Sequence, residues 1–543
     1  MRLNTVCLLG AFLNAGIVAG GIVAGYAPAW KDISSVDMSK FTHINLAYAE
    51  PRANGTFVLE SSYNVDEIAD KIHRAGARVL LSLGGYSGST HLSDIFKSTD
   101  SRNTLISGVV EYLKAHNLDG VDIDWVSSEC NKVDVPNDAN NLLVFVRELR
   151  QALDSAAMPS GARRLLALGV GMTPFVGASG QPLGDVSGFA NWVDYINVLA
   201  YDVNGQQSNT GPNAPLNFEY GRGVQQSLVT AIDNWTQAKF PANQITAGLA
   251  FYGRSSTAKA DMSMQPWNVY QAQEDGLPRG DNDDGLWADR CTGKPASYSG
   301  VWSYGNLRKQ GLLQSGDSAV SPWQRYWDSV SLTPWLFNPS SKVFISYDDQ
   351  SSISAKVSHV VGKGLKGVTV YDITMDYNNE LISVVWGAIK PDNTGQTPPP
   401  PPPPLPKTSE TLDWPSSSSM TTPTSEPSSS GSVSTSTVSS SSPTPSSSAP
   451  PLSPSLTPPP PPLPSPSLPP PATSSPPPTD NGGSGGPQAG SDCGWQASYK
   501  CVDKDGKNAQ FMQCASGIWV QQQCGAGTAC VQNGDYIYCD YPR

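Results

Sequence analysis

The chain has 543 residues, with 47 Asp and Glu against 35 Lys and Arg and a formal net charge of -12. That length is too great for one ordinary domain, and the acidic balance argues against nucleic acid or an anionic membrane surface as a partner. Only 5 His occur, none spaced as H-x-x-x-H, so no metal site and no cofactor is expected.

Residues 1–20 carry one positive charge and then an apolar run ending in small residues, the pattern of a secretory signal peptide. A buried N-terminal strand would show the same apolar run. No other segment is long and apolar enough to span a membrane, and the polar C-terminus does not fit a lipid anchor. A secreted chain, placed outside the cell or in its wall and not held in a membrane, is expected. Cysteine usage agrees with export. Of 9 Cys, Cys7 lies in the leader, and Cys130 and Cys291 form a possible pair. Asn54-Gly-Thr56 and Asn234-Trp-Thr236 are N-glycosylation acceptor sequences.

From residue 21 to about 390, apolar strands alternate with amphipathic runs such as Asn140–Leu153. Candidate strands are Ile22–Tyr26, His43–Ala49, Val79–Leu83, Gly120–Asp124, Leu165–Gly171, Tyr195–Tyr201, Ile245–Phe251 and Lys366–Tyr371. Eight strands alternating with helices predict a (β/α)8 TIM barrel. The stretch between the seventh and eighth strands is too long for one helix. It predicts a small α+β insertion with Gly300–Tyr304 and Val343–Tyr347 as strands. Chemistry in such barrels sits at the C-terminal strand ends.

The fourth strand ends in Asp119-Gly120-Val121-Asp122-Ile123-Asp124-Trp125-Val126. Alternate side chains of a strand share one side, which puts Asp122, Asp124 and position 126 together. Two carboxylates so placed on an apolar strand either do chemistry or form a buried, fully satisfied pair. A third group there would complete an acid/base array, but Val126 has no proton to give. Other strand ends carry Ser82-Leu83-Gly84-Gly85, Leu199-Ala200-Tyr201-Asp202 and Phe251-Tyr252-Gly253-Arg254. Taken alone, Gly84-Gly85 is a tight turn. Tyr26, Trp30, Tyr48, Tyr86 and Tyr371 lie near strand ends, where aromatic faces either stack on sugar rings or pack the core.

Residues 391–490 are dominated by Pro, Ser and Thr. Such a segment buries no core and stays extended, reaching on the order of 200–300 Å at about 3 Å per residue. Residues 491–543 hold six Cys (Cys493, Cys501, Cys514, Cys524, Cys530, Cys539) with Trp495, Tyr499, Trp519, Tyr536, Tyr538 and Tyr541. This reads as a small disulfide-stapled module. Six cysteines allow fifteen pairings, and the aromatics serve either as a ligand platform or as core.

The four strand-end segments, in this order, resemble glycoside hydrolase family 18, the chitinases. That family's signature is D-x-x-D-x-D-x-E, with companions S-x-G-G, M-x-Y-D and F-Y-G-R. Here Leu199 stands for the Met, and Tyr371 falls where the family usually has Trp under the cleaved sugar. The cysteine spacing of the last segment resembles fungal family 19 chitin-binding modules. The resemblance implies chitin or chito-oligosaccharides as partner, a monomer, and a retaining mechanism in which the sugar's own N-acetyl oxygen attacks C1. Asp124 would orient the acetamido N–H, Asp122 would share a proton or hydrogen bond with it, and Tyr201 would bond the acetamido group. Tyr26, Tyr48, Gly84, Gly85, Asp202, Arg254 and Tyr371 would line the sugar site, with Trp495, Trp519 and Tyr538 on the small module. The family's proton-donating Glu falls at Val126.

Losing a general acid costs typically 100- to 10,000-fold in rate. Glu129, three residues on and of the wrong strand parity, is the one nearby substitute and a weak one. In fungal-type members Glu-Tyr-Pro and a short loop follow the Trp. Here Val126-Ser127-Ser128-Glu129 precede Cys130-Asn131, a replaced and shortened loop. Two explanations stand: loss of cleavage leaving a sugar-binding barrel, or a misplaced exon boundary, since every Val codon begins with the GT that opens an intron. Sequencing the transcript across Trp125–Cys130 tests the second, and finding the sequence as given would remove it.

Overall fold

The computed structural model describes residues 21–126, 133–156, 158, 160–204, 209–288, 295–389, 499–502, 510–515, 518–523, 529–533 and 536–540. They fall into two units. In the first, eight parallel strands close into a barrel: β1 (Ile22–Pro28), β2 (His43–Pro51), β3 (Arg78–Gly84), β4 (Gly120–Asp124), β5 (Leu165–Val170), β6 (Tyr195–Val198), β7 (Ile245–Ala250) and β8 (Gly367–Tyr371). Sequential strands are neighbours, and the barrel closes where β8 pairs with β1, Gly367 opposite Ile22. All eight predicted strands form, with ends shifted by a few residues. The sixth stops at Val198, short of the predicted Tyr201.

The strands read as continuous apolar runs because they are buried on both faces. Helices cover the outside. The predicted run Asn140–Leu153 lies within a helix spanning Asp138–Ser155, whose Leu142, Phe145, Val146, Leu149 and Leu153 face the strands at helical spacing. Helix starts follow local chemistry. Asn64 accepts from Asp66 N–H and Glu67 N–H, and Asp349 accepts from Ser351 N–H and Ser352 N–H. Asp119 works at the opposite end of the barrel from the motif's other carboxylates. Its Oδ2 accepts from Val79 N–H at 2.7 Å and lies 2.8 Å from His73 Nε2, tying β4 to β3 and to helix Val65–Arg74.

Between β7 and β8 lies the predicted insertion. Five antiparallel strands run in the order Val301–Ser303, Tyr252–Thr257, Val343–Ser346, Thr333–Asn338 and Gln324–Asp328. Only Phe251 separates β7 from Tyr252–Thr257, and its N–H donates to Tyr371 O at 2.8 Å. This short joint brings the insertion to the C-terminal strand ends.

The second unit has a three-stranded antiparallel sheet, Tyr499–Cys501, Gln510–Ala515 and Ile518–Gln523, and a hairpin of Ala529–Asn533 with Tyr536–Asp540. A disulfide joins Cys501 to Cys530. Trp519 and Tyr538 lie in strands whose backbone alone is described, and Trp495, Cys130 and Cys291 lie outside the described residues. Among the described residues no helix is long and apolar enough to cross a membrane.

Phe145 is fully buried and stacks on Phe96 with ring centroids 4.3 Å apart. Phe145→Ala is expected to cost about 3–5 kcal/mol, measured by urea unfolding. A loss under about 1 kcal/mol would contradict this packing.

Candidate active site

The site grows from β4. Asp122 and Asp124 share the inward face, about 7 Å apart along the strand, and both are buried. Asp122 sits opposite Ser82 of β3, and Asp124 opposite Gly84 of β3 and Gly169 of β5. Asp122 Oδ2 accepts from Ser82 Oγ at 2.8 Å, and Oδ1 accepts from Asn197 Nδ2 at 3.0 Å. Asn197 Oδ1 takes the hydroxyls of Thr246 and Thr369, each at 2.6 Å, while its amide nitrogen faces Asp122. The Asp122 carboxyl is thus held inside the barrel by two neutral donors, one of them fixed by two threonines.

Burial pushes the Asp122 carboxyl well above the ordinary range, against the opposing pull of Ser82, Tyr26 and Asn197. The Tyr26 phenol neighbours Asp122, although its hydroxyl lies outside hydrogen-bonding geometry. Asp124 is raised by burial first, then by the negative charge of Asp122, with Tyr48 opposing. The two titrate as a pair that retains a proton beyond the usual carboxylate range. Asp124 Oδ1 has no hydrogen-bond partner among the described residues and packs on Gly169, where a Cβ would lie 2.5 Å away.

Above the pair opens a cleft of about 1730 Å³, with Tyr48, Val126, Tyr201 and Tyr371 on the barrel side and Trp287 and Tyr298 on the insertion side. Tyr371 stands among Tyr26, Tyr252 and Tyr201, with ring centroids at 5.6, 6.0 and 6.1 Å. Burial drives the phenols of Tyr48 and Tyr201 well above their ordinary pKa, so both stay protonated donors. Arg254 Nε donates to Asp202 Oδ1 at 2.6 Å, and Tyr252 OH donates to the same oxygen at 2.7 Å. Trp30 and Tyr86 lie half exposed at the cleft wall.

Val126 follows the strand end and lines the cleft beside Asp124. Its N–H donates to Ser89 Oγ at 3.1 Å. Ser89 Oγ also lies 2.6 Å from Gly85 O, which ties the β4 end to the turn after β3. The side chain at the position where an acid would stand is a branched hydrocarbon. Glu129 lies outside the described residues.

The structure therefore brings Asp122, Asp124, Tyr201, Tyr48, Asp202, Arg254 and Tyr371 to one place. Three predicted sugar-site residues lie underneath it instead. Tyr26 is fully buried, and the glycines support the floor. Gly84 adopts φ +114°, where a Cβ would lie 2.3 Å from Asp124 O, and Gly85 adopts φ +72° beneath the Tyr48 ring. Both glycines lie in the turn after β3, in backbone conformations that a side chain rarely adopts. Sequence reasoning missed Asn197, whose signal was a lone amide in the apolar run Tyr195–Val198. It also missed Trp287 and Ser89, which carry no signal outside the fold.

A family model described as glycosyl hydrolases family 18 matches residues 22–376. A "chitinase-like effector" of Moniliophthora perniciosa is 30% identical over 399 residues, covering 68% of this chain and 88% of that protein. "Chitinase A1" of Niallia circulans is 26% identical, covering 66% of this chain and 57% of that protein. A chitinase structure from Rhizomucor miehei is 31% identical with a TM-score of 0.63, covering 68% of this chain and all of that one. A class V chitinase structure from Nicotiana tobaccum, 22% identical with a TM-score of 0.57, shares the fold.

The raised pair makes stability depend on pH in a defined direction. The folded state binds more protons than the unfolded chain above about pH 4, so stability falls as pH rises through the pair's raised range. Asp124→Asn removes one carboxyl and the repulsion on the other. Its unfolding free energy relative to the parent is expected to rise with pH across that window, by at most about 1.4 kcal/mol per pH unit for each proton. Urea unfolding from about pH 4 to about pH 8 checks this, and a pH-independent difference would contradict it.

Proposed function

Because the chain belongs to glycosyl hydrolases family 18, we propose that it binds β-1,4-linked N-acetylglucosamine oligomers in the barrel cleft and that cleavage of the glycosidic bond is lost or severely slowed. Val126 carries this reading. It lines the cleft beside Asp124, in the place from which a leaving sugar oxygen would be protonated. The binding parts are intact around it. Asp124 offers an acceptor to an acetamido N–H, Tyr201 offers a phenolic donor to its carbonyl, and Tyr371 offers a face to the ring. Asp122, fixed by Ser82 and Asn197, sets the charge and proton of Asp124 from behind.

With no acid, the sugar's N-acetyl oxygen can still approach C1, but the departing oxygen must leave as an alkoxide. The bond holds. The name of the Moniliophthora relative, chitinase-like, is consistent with a barrel kept after cleavage is reduced.

In this reading residues 1–20 direct export, 21–390 form the binding barrel, and 391–490 are a Pro/Ser/Thr linker. Residues 491–543 would be a chitin anchor presenting Trp495, Trp519 and Tyr538. A long linker lets a tethered barrel sample the polymer around its anchor at high effective concentration.

The test is repair. A variant with a Glu-Tyr-Pro loop in place of residues 126–129 is expected to release chromophore from a chitotriose glycoside on the order of 100- to 10,000-fold faster than the parent. A parent that cuts at a comparable rate would show that Glu129 or another group supplies the proton, and would sink the proposal.

A further inference from the structure

The two N-glycosylation acceptor sequences stand in opposite structural settings. Asn54 is exposed in a turn between β2 and strand Phe57–Leu59, at the barrel end that carries the cleft. The turn is closed by Arg52 N–H to Thr56 O at 2.7 Å and Gly55 N–H to Arg52 O at 2.8 Å. Gly55 at φ +84° packs on Ser101 O, where a Cβ would lie 2.4 Å away, so the loop leans on helix Thr99–Ala115 and turns Asn54 outward. Asn54 Oδ1 accepts from Thr56 N–H at 3.1 Å and from Thr56 Oγ at 2.8 Å. The acceptor amide and the hydroxyl two residues on therefore already face each other, and the turn that holds them is open to solvent at Asn54.

Asn234 differs on each count. It lies inside helix Leu228–Gln237 and is half buried. Its Nδ2, the atom that would be modified, donates to Met172 O at 3.2 Å. Thr236 turns its hydroxyl back into the helix, 2.9 Å from Ile232 O. Trp235 between them is fully buried. A sugar on Asn234 would have to break the Met172 bond and stand between the helix and its neighbours.

We propose that Asn54 carries an N-linked oligosaccharide and that Asn234 does not. Asn54 Nδ2 displaces a diphosphate from C1 of a diphosphate-activated oligosaccharide. An N–C1 bond forms, the C1–O bond breaks with its electron pair leaving on the diphosphate, and Nδ2 loses one proton. This inference rests on the export part of the functional reading and not on the cleft.

The full chain is expressed through a eukaryotic secretory pathway, and its peptides are analysed by mass spectrometry with and without peptide-N-glycosidase. Peptides containing Asn54 are expected to carry glycan and to show that asparagine converted to aspartate on enzyme treatment, while those containing Asn234 stay unmodified. N54Q is expected to abolish the gel shift seen on deglycosylation, and N234Q to leave it unchanged. An unmodified Asn54 in the secreted protein, a modified Asn234, or a chain that never enters the medium each overturns the proposal. Binding of chitotetraose by the same preparations is measured separately, so failure of the cleft reading is distinguishable.

Discussion

Two carboxylates on a strand buried from both sides are the constraint around which the barrel is built. An unpaired charge in such a place costs far more than a domain's net stability unless it is hydrogen-bonded or holds a proton. Asp122 meets that cost with Ser82 and Asn197, and Asn197 is in turn fixed by Thr246 and Thr369. Five strands thus donate polar side chains to one interior ring. Asp124 meets it by holding its proton beyond the usual carboxylate range, raised by burial and then by the negative charge of Asp122. The glycines at 84 and 169 follow from the same constraint, since neither position leaves room for a side chain beside Asp124.

That arrangement leaves one buried oxygen, Asp124 Oδ1, without a hydrogen-bond partner among the described residues, while both oxygens of Asp122 are bonded. The tyrosines around it stay protonated for the same physical reason that the pair does: burial disfavours charge. The cleft therefore keeps neutral donors and aromatic faces over a carboxylate pair, a set suited to an uncharged acetamido sugar. At position 126 the cleft carries a hydrocarbon side chain and no proton donor. A Val there leaves the floor and the aromatic wall in place.

Much of the barrel is legible in the sequence because doubly buried strands must be apolar runs and their covering helices must be amphipathic. Helix Asp138–Ser155 and the insertion strands Val301–Ser303 and Val343–Ser346 were readable on those grounds. The sixth strand was read too long because Leu199-Ala200 continues the apolar run after ladder pairing ends. At the site, carboxylates stand out in an apolar strand, so Asp122 and Asp124 were visible. Ser89 and Trp287 were not, since Ser89 reaches the site on a short 3-10 turn after β3 and Trp287 on an irregular stretch of the insertion. The placement of Tyr26 beneath the floor depends on which way its strand faces at the barrel's end, and proximity to a strand end does not decide that. The Cys501–Cys530 bond is one of many pairings that spacing allows equally.

The account is tested most directly by the crystal structure of the intact chain grown with chitotetraose, together with mass analysis of the ligand recovered from the drop. An unbroken tetrasaccharide in the cleft, with a ring on Tyr371 and an acetamido N–H on Asp124, is the predicted result. Shortened products recovered from the crystal, or a cleft that stays empty at saturating ligand while the barrel is folded, would contradict it.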